Sequence, residues 1–165
     1  MLMFKRMATV GGSIVLALAA PASAACTGEF AALAKVAGGD ADLLLKEPVV
    51  RARLAELMGP ELGHLEDSLA VAGPIGLSNC ELVVEGNSAH KGGEQNAILS
   101  FSLYYGVITV GTRERGQLSI WSTRHKSRKR GNYSHLPAHV RDWLYVAAGG
   151  FRSRLKLPAN TTMMH

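Results

Sequence analysis

The stretch AILSFSLYYGVITVGTRERGQLSIWS, residues 97–122, decides the fold. In its first part the apolar residues Ala97, Leu99 and Phe101 sit at every second position, which predicts a strand with one buried face. After an interruption at Gly106 a second apolar run follows, and beyond the turn at Arg115-Gly116 the residues alternate again. Links this short between strands predict antiparallel neighbours.

The flanking sequence adds one strand and several helices. Residues 80–85 are apolar and β-branched, which predicts a further strand. Residues 29–37 are Ala-rich and could form a helix. Further helices are expected to begin at Pro48, Pro60 and Pro137, because proline suits the first helical turn. Helices, then strands, then a helix indicate an α+β fold, with a four-stranded antiparallel β-meander packed by N-terminal helices and one C-terminal helix.

The first 24 residues are typical of a secretory signal peptide. Two basic residues precede an apolar run, which ends in Pro21-Ala22-Ser23-Ala24, an Ala-x-Ala cleavage site. We expect residues 1–24 to be removed, residues 25–150 to form a single α+β domain, and residues 151–165 to be a basic and polar C-terminal tail that frays. No later segment approaches about 20 unbroken apolar residues, so we expect no transmembrane span after processing. The signal peptide predicts a periplasmic or secreted location.

Cys26 and Cys80 are the only cysteines. In an oxidising compartment we expect them to form a disulfide, which would add about 4 kcal/mol to stability in the chain-entropy model. One alternative stays open, because Ser23-Ala24-Ala25-Cys26 resembles a bacterial lipobox, in which the cysteine carries lipid.

The charge of the chain is only mildly basic, with a formal net charge of +5 before the leader is removed. That balance does not indicate a nucleic-acid partner. The segment 124–130 concentrates positive charge and, on an exported protein, could bind an anionic envelope polymer. This predicts an envelope-associated structural or adhesion protein as the alternative function, and a solvated loop is the plainer interpretation. The basic residues of the segment are Arg124, Lys126, Arg128, Lys129 and Arg130.

The segment Gly86–Asn96 between two predicted strands is longer than a tight hairpin needs, and it is rich in Gly, Asn and charged residues. A loop on a rigid sheet is a common place for recognition residues, and glycine lets backbone approach a ligand closely. We predict that this loop binds a partner through His90, although an ordinary polar loop is the alternative. Orientation is assigned to Ser88, Lys91 and Glu94, and close backbone approach to Gly92 and Gly93.

Catalytic and metal-binding patterns do not accompany this loop. Ser88 and His90 have no identifiable orienting acid, and a Gly-x-Ser-x-Gly elbow is absent. The His-Glu-x-x-His pattern is absent as well, and no carboxylate pair with a fixed separation can be recognised. We therefore predict a protein without enzymatic activity, metal or cofactor. A small envelope hydrolase is a third possibility, whose catalytic residues the sequence does not identify.

The stretch Asn87-Ser88-Ala89-His90-Lys91-Gly92-Gly93, with the apolar strand after it, resembles the periplasmic inhibitors of vertebrate (c-type) lysozyme. In that family a Cys-Lys-Pro-His-Asp-Cys-Gly loop joins strands of an antiparallel sheet packed with helices, and its histidine projects into the active-site cleft of lysozyme. The resemblance covers roughly residues 40–122. It implies a hydrolase partner such as lysozyme, with His90 as the inserted group.

Two features depart from that family. Asn87 and Gly92 stand where the family has its two loop cysteines, so the resemblance implies a loop that must be ordered on binding, which lowers affinity. Lysozymes of this type are basic, and this chain is basic too, so we expect no long-range attraction between them.

Overall fold

The computed structural model describes residues 26–91, 93–124, 135–150, 157 and 159–164. It is an α+β fold, which confirms the predicted class. The α-helices are α1 (Ala41–Leu45), α2 (Pro48–Met58), α3 (Leu62–Ser68) and α4 (Ala138–Ala147), and shorter 3-10 turns span Ala31–Val36 and Gly59–Glu61. None of these helices in the described ranges is long and apolar enough to cross a membrane.

The strands form one mixed sheet. They are β1 (Val71–Ala72), β2 (Gly76–Ser78), β3 (Glu81–Asn87), β4 (Gln95–Ser102), β5 (Ile108–Glu114), β6 (Gln117–Ser122) and β7 (Thr161–Met163). The order along the sheet is β1-β3-β4-β5-β6-β7, and β2 pairs with β3 beside β1. All neighbours are antiparallel except β6 and β7, which are parallel.

The prediction of a four-stranded sheet was wrong, because the sheet has seven strands. The three additional strands, β1, β2 and β7, are two or three residues long and are therefore too short to show a period of two. Strand β7 lies within residues 151–165, from which we expected no strand. The predicted domain boundaries stay predictions, since residues 1–25 and 151–156 lie outside the described residues.

Helix α2 shows how sequence and packing agree. Proline at position 48 occupies its first turn, and the chain leaves the helix at Gly59 with φ 55°, which suits glycine. Val50, Leu54 and Met58 are buried along one face at a spacing of four residues. The Ala-rich segment before it forms a 3-10 turn rather than a regular α-helix.

The sheet buries both of its faces. One face contributes Leu82, Leu99 and Phe101 to a large cluster that includes the residues of α1, α2 and α3. The other face carries Ile98 in a smaller cluster with α4. At Gly111 a Cβ atom would lie 2.7 Å from the ring of a tryptophan on α4, so glycine is what permits this helix to lie close to the sheet.

Cys26 and Cys80 form a disulfide with a Cα–Cα distance of 5.4 Å, which confirms the predicted pairing. Cys80 comes directly before β3, and its carbonyl accepts a hydrogen bond of 2.8 Å from the Leu103 N–H. The disulfide occupies the sulfur that the lipobox alternative requires, and it attaches the start of the described chain to the end of the sheet where β3 begins.

Candidate partner-binding loop

Residues 88–94 connect β3 to β4 at one end of the sheet. Asn87 and Asn96 are the last register partners of the two strands, and the Ser88 N–H donates to the Gln95 carbonyl at 3.0 Å. The turn between β5 and β6 lies at the same end of the sheet, and there the Arg115 N–H donates to the Glu94 carbonyl at 3.0 Å. Both ends of the loop are therefore fixed to the sheet.

Backbone hydrogen bonds also cross the loop. The Lys91 N–H donates to the Ser88 carbonyl at 3.3 Å. The Lys91 carbonyl in turn accepts from the N–H groups of Glu94 at 3.0 Å and Gln95 at 3.3 Å. Gly92, a predicted site residue, lies outside the described residues. The missing cysteines imply an unconstrained loop, but four backbone hydrogen bonds connect residues within the span 88–95.

His90 lies at the tip of this loop and is exposed. Its φ of 62° places it in the left-handed region, which few residues other than glycine adopt and in which histidine is enriched. Gly93 has φ 83°, and a Cβ added there would have no heavy atom within 4 Å. The tip therefore offers an accessible imidazole beside an open backbone.

A buried polar cluster lies beneath the loop. The Gln95 side chain accepts at Oε1 from Lys91 Nζ at 3.2 Å and donates from Nε2 to Ser68 Oγ at 3.2 Å. Ser68, on α3, donates in turn to the His64 carbonyl at 2.7 Å. Gln95 is 4% exposed and Ser68 is fully buried. These bonds connect the loop to α3.

His64 closes the cluster at its edge. Its Nε2 atom lies 3.5 Å from Gln95 Nε2 and 3.5 Å from Glu114 Oε2. Sequence reasoning did not identify Gln95, Ser68 or His64 as site residues. The sequence does contain a usable signal. Apolar residues alternate at positions 97, 99 and 101, and the same alternation continued two residues toward the N-terminus predicts that the polar Gln95 is buried.

A groove of about 400 Å³ lies on the other side of the loop base. Gly93, Asn96 and Arg113 line it beside two exposed valines, Val71 and Val146. Glu85 also lines this groove, and burial raises the pKa of its carboxyl above the ordinary value, against an opposing effect of His139. The loop is thus flanked by α3 on one side and by this groove on the other.

Of the predicted basic segment, the structure describes only Arg124. Arg124 is exposed and follows β6 at the opposite end of the sheet, where its N–H donates to Ser122 Oγ at 3.3 Å. The other predicted residues of this segment, Lys126, Arg128, Lys129 and Arg130, lie outside the described residues. In the described ranges, no group of three or more His, Cys, Asp or Glu side chains could hold a metal ion.

The chain matches the model of a known protein family. The family model described as inhibitor of vertebrate lysozyme (Ivy) matches residues 49–149, a span that runs from the first turn of α2 through the loop to the residues after α4. No curated protein and no solved structure matches significantly. The match confirms the resemblance drawn from the loop and its following strand. Since it covers more than half of the 165 residues, the chain belongs to the inhibitor of vertebrate lysozyme family.

Proposed function

We propose that this protein is an exported, non-enzymatic inhibitor that inserts the Gly86–Asn96 loop into the active-site cleft of a c-type lysozyme, with His90 as the leading contact. The observation that carries this proposal is the exposed imidazole at the tip of a loop whose two ends are fixed to the sheet. A loop already ordered before it meets its partner loses less conformational entropy on binding, which favours affinity.

The other loop residues take supporting roles in this proposal. Ser88 and Lys91 supply the backbone groups that shape the loop. Gly93 leaves open space through which the backbone of the enzyme can approach closely. Glu94 presents an exposed carboxylate, and Gly92 remains a candidate from its position in the sequence.

Charge is not part of the support for this proposal. Without residues 1–24 the chain has sixteen Lys and Arg residues and thirteen Asp and Glu residues, so it stays mildly basic. We therefore keep the expectation of no long-range attraction to a basic lysozyme, and the proposal depends on the contacts of the loop.

The experiment is an inhibition assay with the chain lacking residues 1–24 and a purified c-type lysozyme acting on bacterial cell walls. We expect His90→Ala to raise the inhibition constant about 100-fold, the effect of losing a central contact residue. Asn79→Ala is the matched control, because Asn79 is an exposed turn residue with φ 50° at the opposite end of β3. Its inhibition constant should stay within about twofold of the parent value.

Two outcomes would overturn the proposal. One is a parent protein that does not inhibit the enzyme, and the other is a His90→Ala variant that inhibits as well as the parent.

The family match gives no support to binding of an anionic polymer through the basic segment. The combined substitution of Arg128, Lys129 and Arg130 by Ala should accordingly leave the inhibition constant within about threefold at constant salt.

A further inference from the structure

Gln95 is a buried amide on the face of β4 that points toward the large apolar cluster. It is 4% exposed, and the residues two and four positions later on the same face, Ala97 and Leu99, are fully buried and apolar. An amide in such a place is costly unless its polar atoms are hydrogen-bonded. Its bonds therefore indicate why glutamine stands there.

The bonds of Gln95 run in one direction, from the loop to the helix. Lys91 Nζ can only donate, so it fixes Oε1 as the amide atom that faces the loop. The amide nitrogen then donates to Ser68 Oγ, whose own hydroxyl hydrogen is used on a backbone carbonyl of α3. Each atom is thus matched as donor or acceptor, and the orientation of the amide follows from its partners.

A second link to α3 starts from the same nitrogen. His64 Nε2 is 3.5 Å away and, in the neutral ring, can accept the remaining amide hydrogen. Glu114 Oε2 lies at the same distance from this ring nitrogen. His64, on α3, is therefore within 3.5 Å of a side chain from β4 and one from β5, at the end of the sheet that carries the loop.

Gln95 is tied to Lys91 twice, by side chain and by backbone. The Lys91 Nζ–Gln95 Oε1 bond is accompanied by the bond from the Gln95 N–H to the Lys91 carbonyl at 3.3 Å. Lys91 directly follows His90 in the chain. We infer that Gln95 is a positioning residue, which fixes Lys91 against α3 and thereby sets the geometry in which the neighbouring imidazole is presented. The effect on the partner rests on the proposed function, whereas the anchoring of the loop does not.

The test uses Gln95→Met, which keeps the length of the side chain and removes its hydrogen bonds. Ser100→Ala is the matched control, because Ser100 is a buried polar residue of the same strand, 2% exposed, on its other face. We expect amide hydrogen exchange at Lys91 and Glu94 to accelerate about tenfold in Gln95→Met and to stay unchanged in the control. The inhibition constant for lysozyme should rise about tenfold in the same variant only.

A double-mutant cycle separates positioning from a general loss of stability. If Gln95 acts through His90, then Gln95→Met added to His90→Ala should weaken inhibition by less than twofold further. A full additional tenfold loss in that background would overturn the positioning role, and so would unchanged exchange at Lys91 and Glu94 in Gln95→Met.

Failure of the proposed function would give a different pattern of results. A parent protein without inhibitory activity would refute the lysozyme partner, while hydrogen exchange would still decide whether Gln95 anchors the loop. Should Gln95→Met not fold, Ser68→Ala removes the acceptor on α3 and is measured in the same way. Accelerated exchange at Lys91 in that variant supports the anchoring, and unchanged exchange overturns it.

Discussion

The two ends of strand β4 are secured by different kinds of interaction. Its first residue, Gln95, is bonded through polar side chains to α3 and to the loop. Its last residues enter the turn 103–107, where the Phe30 N–H donates to the Leu103 carbonyl at 3.2 Å and Arg53 donates to the Gly106 carbonyl at 2.8 Å.

The second end has apolar and covalent links as well. The ring of Phe30 meets that of Phe101 edge-on at 5.5 Å, and Arg53 lies 4.9 Å from the centre of the Phe30 ring. The Cys26–Cys80 disulfide lies at the same end of the sheet. We call the end of β4 that enters the turn 103–107 the stapled end, and the end at Gln95 and the loop the recognition end. In the described part of the chain, the disulfide and the Phe30–Phe101 contact thus lie away from the proposed binding loop, whereas side-chain hydrogen bonds of Gln95 hold the loop at the other end.

The largest expected effect of breaking the staple is on folding. Replacing Cys26 and Cys80 together by Ser should lower the free energy of unfolding by about 4 kcal/mol, because the closed loop no longer restricts the unfolded chain. Chemical denaturation of the parent and the variant measures this difference. Inhibition by the variant, measured where it is still folded, should stay within about twofold. A larger loss of inhibition than of stability would contradict the separation of the two ends.

Two glycines give a matched pair of smaller effects. Gly106 at the stapled end has φ 62°, and a Cβ there would overlap the ring of Phe30, so Gly106→Ala should cost about 2–3 kcal/mol of stability. Gly93 at the recognition end has φ 83° but open space, so Gly93→Ala should cost about 1 kcal/mol. Thermal and chemical denaturation give the values.

Inhibition should rank these two variants in the reverse order. Gly93→Ala changes the surface that faces the enzyme and should weaken inhibition more than Gly106→Ala does. Equal inhibition by both variants would show that the recognition end is not where the enzyme binds.

The smallest effect concerns the charge of Glu81, which begins β3 at the stapled end. Burial raises the pKa of its carboxyl above the ordinary value of 4.5, while His139 and a hydrogen bond from Ser100 act in the opposite direction. The folded state therefore binds this proton more tightly than the unfolded state does. Ionisation costs stability above the folded pKa, and the cost disappears as the pH falls below 4.5.

Glu81→Gln should accordingly raise the melting temperature at pH 7 and change it little below pH 4.5. Melting curves of both proteins from pH 3 to pH 8 measure this. Glu56→Gln, at an exposed position of α2, is the control and should leave the melting temperature unchanged at each pH. A stabilisation that persists at low pH would not come from ionisation of Glu81.

The long strands could be predicted from sequence because their side chains report burial directly. Ala97, Leu99 and Phe101 alternate in the sequence and are fully buried on one face of β4. Strand β7 carries no comparable pattern, since its three residues pair in parallel with β6 from a segment far along the chain. Its position depends on tertiary pairing, which a local period does not encode.

The site was predictable only at its surface. Glycine-rich composition and a single histidine marked the loop as a candidate site. The family match shows the family, and the role of these loop residues stays a prediction. The bonds beneath it join residues 27 and 31 positions apart, Ser68 and His64 with Gln95, so no spacing rule connects them. The one indication of such bonds in the sequence is Gln95, a polar residue at a position where the strand pattern predicts an apolar one.

The outermost strands in the described part of the sheet are all very short. Strands β1 and β2 cover the outer side of β3 with two and three residues, and β7 covers β6 with three. A long bare edge would serve as a template for fibril growth, because a neighbouring molecule can add a strand to it. Edge strands this short offer a neighbouring molecule few unpaired backbone groups, which disfavours edge-to-edge association.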